Sequence, residues 1–537
     1  MSAYVHDRVM RALLVTSIGI ACAGAVLLPL APTESAEALL SGKSSTSTGD
    51  AAPPVARGSA GGERAGTGTE ARTDAARDGG VSGSTQSLPL RAGGGDKRSG
   101  DKLLSAWEDD PSGGRRVTSR KVKPFSLVGV VWKDVSAVPP GRMQVQTRAS
   151  GSGKWSSWRT LETHGDGPES DGRGRSGEKP LGATAPMWTG DSTAVRVRLL
   201  PAAGEKAGGA ADRKRAAGEA GLPEGARLEL VDPGDSPGSG SGSRSGADSG
   251  SGSGSGSGAR AGEGGGGGGG DSGSGSEGTA SGGDGGARSD GPRDDDPGQR
   301  PGGVLPELSR SATRSTYGDD AADATPSDQD RADDSRIGPR PRIVTRKGWG
   351  ADENLREREF AYSKSVKAAF VHHSAETNDY DCADVPAIIR GIYRYHVQSS
   401  HWRDIGYNFL VDKCGTIYEG RAGGVAKPVM GAHTLGFNAD TTGIAVLGTY
   451  SKAVPSTAAR DALAKLTAWK LGVHGVDASG KATLTSEGGT KYRKGSKATF
   501  NAVAGHRDGF TTECPGEKLY GALPGIRTEA GRLQGRR

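Results

Sequence analysis

Aromatic side chains make up only 5% of the 537 residues, against 91 glycines. That shortage excludes one large globule, because too few bulky groups exist to fill cores along the whole length. Cysteine is scarce too, and four residues cannot staple a disulfide-dense scaffold. Charge of a single sign is also missing, since 69 Lys and Arg are interspersed with 63 Asp and Glu. The net charge of +6 comes with no basic helix and no aromatic-interleaved patch, which excludes a nucleic-acid partner. Such a mild excess favours loose attraction to anionic wall polymers.

What is present begins with an export pattern. Arg8 and Arg11 precede an apolar run from Ala12 to about Ala31, and Ala36-Glu37-Ala38 supplies a small-residue cleavage site. This order reads as a secretory signal peptide over 1–38, with an uncleaved anchor as the rival reading. Either way the remainder lies outside the cytoplasm, and cleavage would release a secreted chain with no stable membrane association. Cys22 lies in the apolar run behind a poor lipoprotein box, and is discounted as a lipidation site.

Two stretches have almost no large apolar groups. Residues 41–100, within a segment 39–114, are rich in Ser, Gly, Thr and Ala, while 236–335, within a segment 236–338, carries Ser-Gly repeats and seven consecutive glycines from Gly264 to Gly270. Neither can offset its chain entropy by burial, so both are expected to be disordered. The second would act as a tether of roughly 50–60 Å r.m.s. span. Between them, 115–235 holds strand-length runs at Leu127–Trp132, Met143–Arg148, Ala194–Leu199 and Arg227–Val231. Three of these alternate apolar and polar residues, as half-buried antiparallel strands do, which predicts a β-sandwich-like accessory domain. Trp155, Trp158 and Trp188 read as packing residues rather than a carbohydrate platform, and the charged 202–220 insertion reads as a loop.

The last part, 339–537, reads as α/β: a mixed central sheet flanked by helices. Val366 to His373 is a buried strand, Asp384 to Gln398 a helix, Tyr407–Asp412 and Thr416–Glu419 a hairpin, and Gly443–Tyr450 a core strand. Ser456 can cap a helix ending near Gly472, and Asn501 to Gly505 is a short strand that delivers His506. Two stretches here concentrate metal-ligating chemistry: Val371-His372-His373-Ser374, and Gly505-His506-Arg507-Asp508 leading to Thr512-Glu513-Cys514-Pro515-Gly516. Two imidazoles and a thiolate are donors that a catalytic zinc takes, with its fourth position left open.

Together with Asp404-Ile405-Gly406-Tyr407-Asn408-Phe409 and Gly431-Ala432-His433-Thr434, in this order, these stretches resemble the peptidoglycan recognition protein and zinc N-acetylmuramoyl-L-alanine amidase family, from about Arg342 to about Leu533. The resemblance implies zinc held by His372, His506 and Cys514. Successive strand residues point to opposite faces, so His373 becomes a groove residue. Tyr407 matches the family's catalytic tyrosine. Thr512 stands where some members carry lysine; its hydroxyl can hydrogen-bond but supplies no charge. His373, His396, His433 and Asn438 fall at muropeptide-contact positions. The segment Ala422 to Met430 has no Gly-Trp pair like that of animal members, so their stem-peptide specificity does not transfer. Counting leaves one of Cys382, Cys414 and Cys514 over; the motif context gives Cys514 to the metal and leaves Cys382–Cys414 as the disulfide. The expected activity is hydrolysis of the amide between N-acetylmuramic acid and L-alanine by a monomer, its β domain acting only through local concentration. The rival readings are a binding-only receptor on the same fold and a zinc hydrolase acting on another amide.

Overall fold

A computed structural model describes residues 83–90, most of 107–163, Gly167, 177–200, 222–235, 302–317 and 336–536. The signal segment, most of 39–114, the 202–220 insertion and the Gly/Ser-rich part of 236–338 lie outside the described residues.

The first domain is all-antiparallel. Its strands are β1 (Ser84–Pro89), β2 (Glu108–Asp109), β3 (Arg115–Thr118), β4 (Phe125–Trp132), β5 (Arg142–Ala149), β6 (Arg159–Thr160), β7 (Gly182–Ala183), β8 (Met187–Leu200) and β9 (Arg227–Asp232). They run in the order β1-β9-β4-β8-β3-β2, with β5 and β6 joined through β8 and β7 added to β4. On β5 the alternation works as expected: Met143, Val145 and Thr147 point inward while Arg142 and Arg148 stay in water. Val128, Val130, Val145, Val197, Leu228 and Leu230 form the core between the strands. Trp188 is buried, whereas Trp155 and Trp158 lie under the guanidinium groups of Arg196 and Arg198, at 4.0 and 4.3 Å.

The boundaries need correction here. β1 and β2 fall within 39–114, where no structure was expected, yet β1 pairs with β9 along its whole length, from Ser84↔Asp232 to Pro89↔Arg227. Leu88 and Leu90 give this segment its buried anchors. Its stability comes from a partner strand about 140 residues away, which local composition does not register.

The second domain starts earlier than 339 for the same reason. β10 (Val304–Leu305) pairs with β11 (Ile343–Val344), and helix α1 (Arg310–Tyr317) follows it. Tyr317 packs edge-on against Trp469 at 5.7 Å and receives a hydrogen bond from Arg340. The residues at 302–317 therefore belong to the fold, not to the tether.

The remaining elements are α2 (Arg346–Trp349), β12 (Ala368–His373), α3 (Val385–Arg394), β13 (Phe409–Val411), β14 (Ile417–Glu419), β15 (Thr441–Val446), α4 (Thr457–Val473), β16 (Lys481–Thr485), β17 (Lys497–Asn501), β18 (Val503–Gly505), α5 (His506–Gly509) and α6 (Glu517–Leu533). The sheet order is β10-β11-β14-β13-β15-β12-β18; β12 is parallel to both β15 and β18, while β13 and β14 form the expected antiparallel hairpin. Leu463, Leu466 and Trp469 of α4, with Leu519 and Leu523 of α6, cover one face through Val371, Ile444 and Val446. Ile388, Ile389 and Ile392 of α3 cover the other through Leu410 and Ala445. Ser456 caps α4, its Oγ accepting from the Ala459 amide at 3.0 Å. The helix expected to reach Gln398 stops at Arg394, and Tyr395–Ser399 continues as a wider π turn. Cys382 and Cys414 are disulfide-bonded, tying the start of α3 to the hairpin turn.

The two domains share a core. Leu127, Val131, Trp188 and Val231 of the β domain pack with Ile388, Ile392 and Tyr395 in one apolar cluster. A Cβ added at Gly129 would come within 2.4 Å of the Tyr395 ring, so this approach requires glycine. The Tyr395 hydroxyl lies 3.1 Å from the carbonyls of Val130 and Thr184, and Arg390 donates to the Gly234 carbonyl at 3.0 Å.

Candidate metal centre and groove

The parallel register builds the centre. Val371 stands opposite Gly505, so His506 emerges from β18 beside His372 at the end of β12. The two rings lie 4.4 Å apart. The chain then turns through α5 and returns Cys514, with the Arg507 amide donating to the Cys514 carbonyl at 2.9 Å. Asp508 braces this return: one carboxylate oxygen accepts from the Gly505 amide at 2.9 Å and the other from the Tyr520 hydroxyl at 2.7 Å.

His372, His506 and Cys514 offer ligand atoms that all lie within 4.8 Å of one another, and all three residues are buried. Sγ of Cys514 is 3.9 Å from Nδ1 of His372. Tetrahedral zinc with N and S ligands spaces its donors by about 3.3–3.8 Å, so the trio fits a zinc ion with small side-chain adjustments. The donor chemistry fits as well. The His373 amide points at the Cys514 sulfur at 3.4 Å, and the sulfur lies 3.9 Å from the His373 carbonyl oxygen.

Behind the trio runs a relay that the motif reading missed. Nε2 of His372 lies 3.4 Å from the Thr434 hydroxyl, which is 3.0 Å from Nδ1 of His433. Nε2 of His433 is 3.5 Å from the Thr441 hydroxyl, which donates to the Phe437 carbonyl at 2.6 Å. One direction of donation satisfies every step: His372 to Thr434 to His433 to Thr441 to backbone. It leaves Nδ1 of His372 as the lone pair facing Cys514 and His506.

The other expected residues distribute as follows. The Tyr407 ring packs 5.4 Å from that of His372. His396 stacks on Trp402 at 4.3 Å and accepts the Gly406 amide at Nδ1. Asn438 accepts the amides of His433 and Thr434 through one oxygen, which shapes the loop carrying both. Thr512 accepts the Cys514 amide at 3.2 Å, a contact that supports the loop. Nε2 of His373 meets Glu162 of the β domain at 3.0 Å. Two further groups had no motif to mark them: Glu162 itself, and Glu376, whose buried carboxyl has its pKa pushed well up by loss of solvent, with the Arg159 guanidinium opposing the shift.

Residues 362–517 match the family model described as N-acetylmuramoyl-L-alanine amidase, and residues 74–220 match one described as Rv3811 N-terminal galactose-binding domain-like. Human N-acetylmuramoyl-L-alanine amidase is 32% identical over 188 residues, which are 34% of this chain and 28% of that protein's length. Peptidoglycan-recognition protein SC2 of Drosophila simulans is 30% identical over 181 residues, 34% of this chain and 84% of that protein. Among solved structures, peptidoglycan recognition protein-LE in complex with tracheal cytotoxin, a monomeric diaminopimelic acid-type peptidoglycan, is 30% identical with a TM-score of 0.27, covering 34% of this chain and 91% of that one. The chain belongs to the peptidoglycan recognition protein and type 2 N-acetylmuramoyl-L-alanine amidase family.

Proposed function

We propose that this protein is a secreted, zinc-dependent N-acetylmuramoyl-L-alanine amidase that cleaves the amide joining the lactyl group of N-acetylmuramic acid to L-alanine of the stem peptide. The family supports a peptidoglycan-related function. The observation that carries the finer reading is the complete donor set: a binding-only site has no use for a buried thiol placed 3.9 Å from an imidazole nitrogen and supplied with an amide donor. When bound there, zinc supplies Lewis-acid polarisation of the amide carbonyl and a water acidic enough to attack it near neutral pH.

The chain's own residues do the rest. His372, His506 and Cys514 hold the centre, and Thr434 with His433 fixes the imidazole tautomer. Tyr407, packed against His372, is the phenol donor for the carbonyl oxygen as it gains negative charge. His396 accepts the Gly406 amide at Nδ1, which places its ring proton on Nε2 and holds the imidazole at the groove wall. Digestion of purified wall followed by mass spectrometry of the new ends tests this reading. Free L-alanine amino termini are expected, and Cys514→Ser should lose both the bound zinc and those ends. New ends elsewhere in the stem or glycan would refute it.

A further inference from the structure

The β domain reaches the groove itself. The segment leaving β6 carries Glu162, whose Oε2 is 3.0 Å from Nε2 of His373. Further along, the Gly167 carbonyl accepts from Nδ2 of Asn438 at 2.8 Å. Arg159, at the start of β6, is the cation beside buried Glu376. On the other rim, the Leu181 amide donates to the Ser400 carbonyl at 3.0 Å, and Ala183, Thr184, Ala185 and Pro186 wall a small cavity against His396 and Trp402. In this docked arrangement His372, His373, His433, Asn438, His506 and Cys514 are each 0% exposed, Tyr407 is 2% and His396 3%.

We propose that the β domain is a latch: docked as it is, it closes the amidase groove to muropeptide, and the protein is latent until the domain is displaced. The proposal rests on the groove reading given above. Its physical basis is competition. Gly167 takes one of the two N–H donors of the Asn438 amide and stands where a substrate carbonyl would meet it, and the Nε2–H of His373 is committed to Glu162. A domain that completed the site would leave a path to the metal ligands, and these ligands expose no surface. The latch is held by more than two polar contacts. Leu127, Val131, Trp188 and Val231 bury their side chains against α3, and Ser399 donates to buried Glu229 at 3.2 Å. An apolar interface of this kind is docked rather than tethered. Affinity for substrate is then reduced by the fraction of molecules in the open state.

Gly129→Val tests the latch in the full-length, zinc-loaded protein. The added side chain meets the Tyr395 ring and wedges the domains apart, while no groove residue is changed. Hydrogen exchange over 127–132 and 385–399 reports release. Calorimetry with a soluble disaccharide–tetrapeptide muropeptide reports affinity, and chromatography of the products reports rate. The wedge should tighten muropeptide binding by about tenfold or more and raise kcat/KM alongside it. Glu162→Gln, which leaves the scaffold intact, should shift affinity the same way by a smaller factor, and it decides the matter alone if the wedge does not fold or does not release the domain. Tighter binding without hydrolysis would keep the latch and overturn the amidase reading. Unchanged or weaker binding in a released wedge variant, or in Glu162→Gln where that variant decides, would overturn the latch and make the β domain a working wall of the groove.

Discussion

Thr434→Val removes one hydroxyl and keeps the shape of the side chain. In the folded protein that hydroxyl sits 3.4 Å from Nε2 of His372 and 3.0 Å from Nδ1 of His433. The backbone of Thr434 is held independently by Asn438 at 2.9 Å, so the loop should keep its course. Without the hydroxyl, His372 loses the acceptor that fixes its tautomer and ring plane, and His433 loses its Nδ1 donor. Removal of an outer partner of this kind typically weakens metal binding about 10–100-fold, which corresponds to about 1.4–2.7 kcal/mol. Competition with a chromophoric chelator gives the zinc affinity, and circular dichroism of the metal-free protein checks the fold. Cys514→Ser in the same assay should fall much further, since it removes a donor atom. A Thr434→Val protein that folds and binds zinc within twofold of wild type would refute the relay argued here.

Three further outcomes follow from buried or cross-linked groups. Lys470 donates to the carbonyls of Val425, Ala426 and Lys427 at 2.8, 2.9 and 2.7 Å, and burial lowers its pKa from 10.5 to about 7. Between those values the unfolded chain keeps a proton that the folded chain has released, so stability rises with pH across that window. Lys470→Met should therefore cost about 2–4 kcal/mol at pH 9 and less at pH 6 by urea denaturation; equal losses at both would refute the assignment. Glu376 has its pKa raised from 4.5 by burial, so its contribution is intact below 4.5 and falls as pH rises towards the folded value. Glu376→Gln should gain thermal stability over wild type from pH 4.5 to pH 8, and a constant difference would contradict it. Replacing both Cys382 and Cys414 by serine opens a loop with a separation of 32 residues. Stability should drop by roughly 3–4 kcal/mol with zinc content unchanged, and loss of zinc would tie the bridge to the metal centre.

The cluster of His372, His506 and Cys514 was legible because its residues are announced locally. A strand ending in His372, and a turn running from His506 to Cys514, each carry their chemistry within a dozen residues, and the parallel pairing of β12 with β18 only has to bring them together. What supports the ligands is not local. Thr434 is 62 residues from His372, and nothing in its neighbours marks it as a hydrogen-bond relay. β1 and β10 were hidden for a related reason: β1 buries only Leu88, so no alternation shows along it, β10 is two residues long, and each forms because a distant partner is waiting. The π turn after Arg394 was equally silent. It lets Tyr395 face the β domain while His396 faces Trp402, and an α-helical pattern across Asp384–Gln398 conceals that division.

The packing of the β domain against α3 is what local reading did not anticipate, and a cue to it was present. Of the four recognised strands, Leu127–Trp132 does not alternate, and all eight residues of β4 are buried. In a self-contained two-layer β domain one face of each strand meets water, so an unbroken apolar run means that something covers the second face. Val128 and Val130 face the domain's own core, whereas Leu127 and Val131 face α3. Gly129 sits between them where the Tyr395 ring needs the room. α3 carries the reciprocal pattern, with Ile388 and Ile392 in the cluster shared with the β domain. A module acting only through local concentration would need neither feature. Two surfaces each apolar beyond what their own domains require are a pair, and their pairing carries Glu162 and Gly167 to the groove.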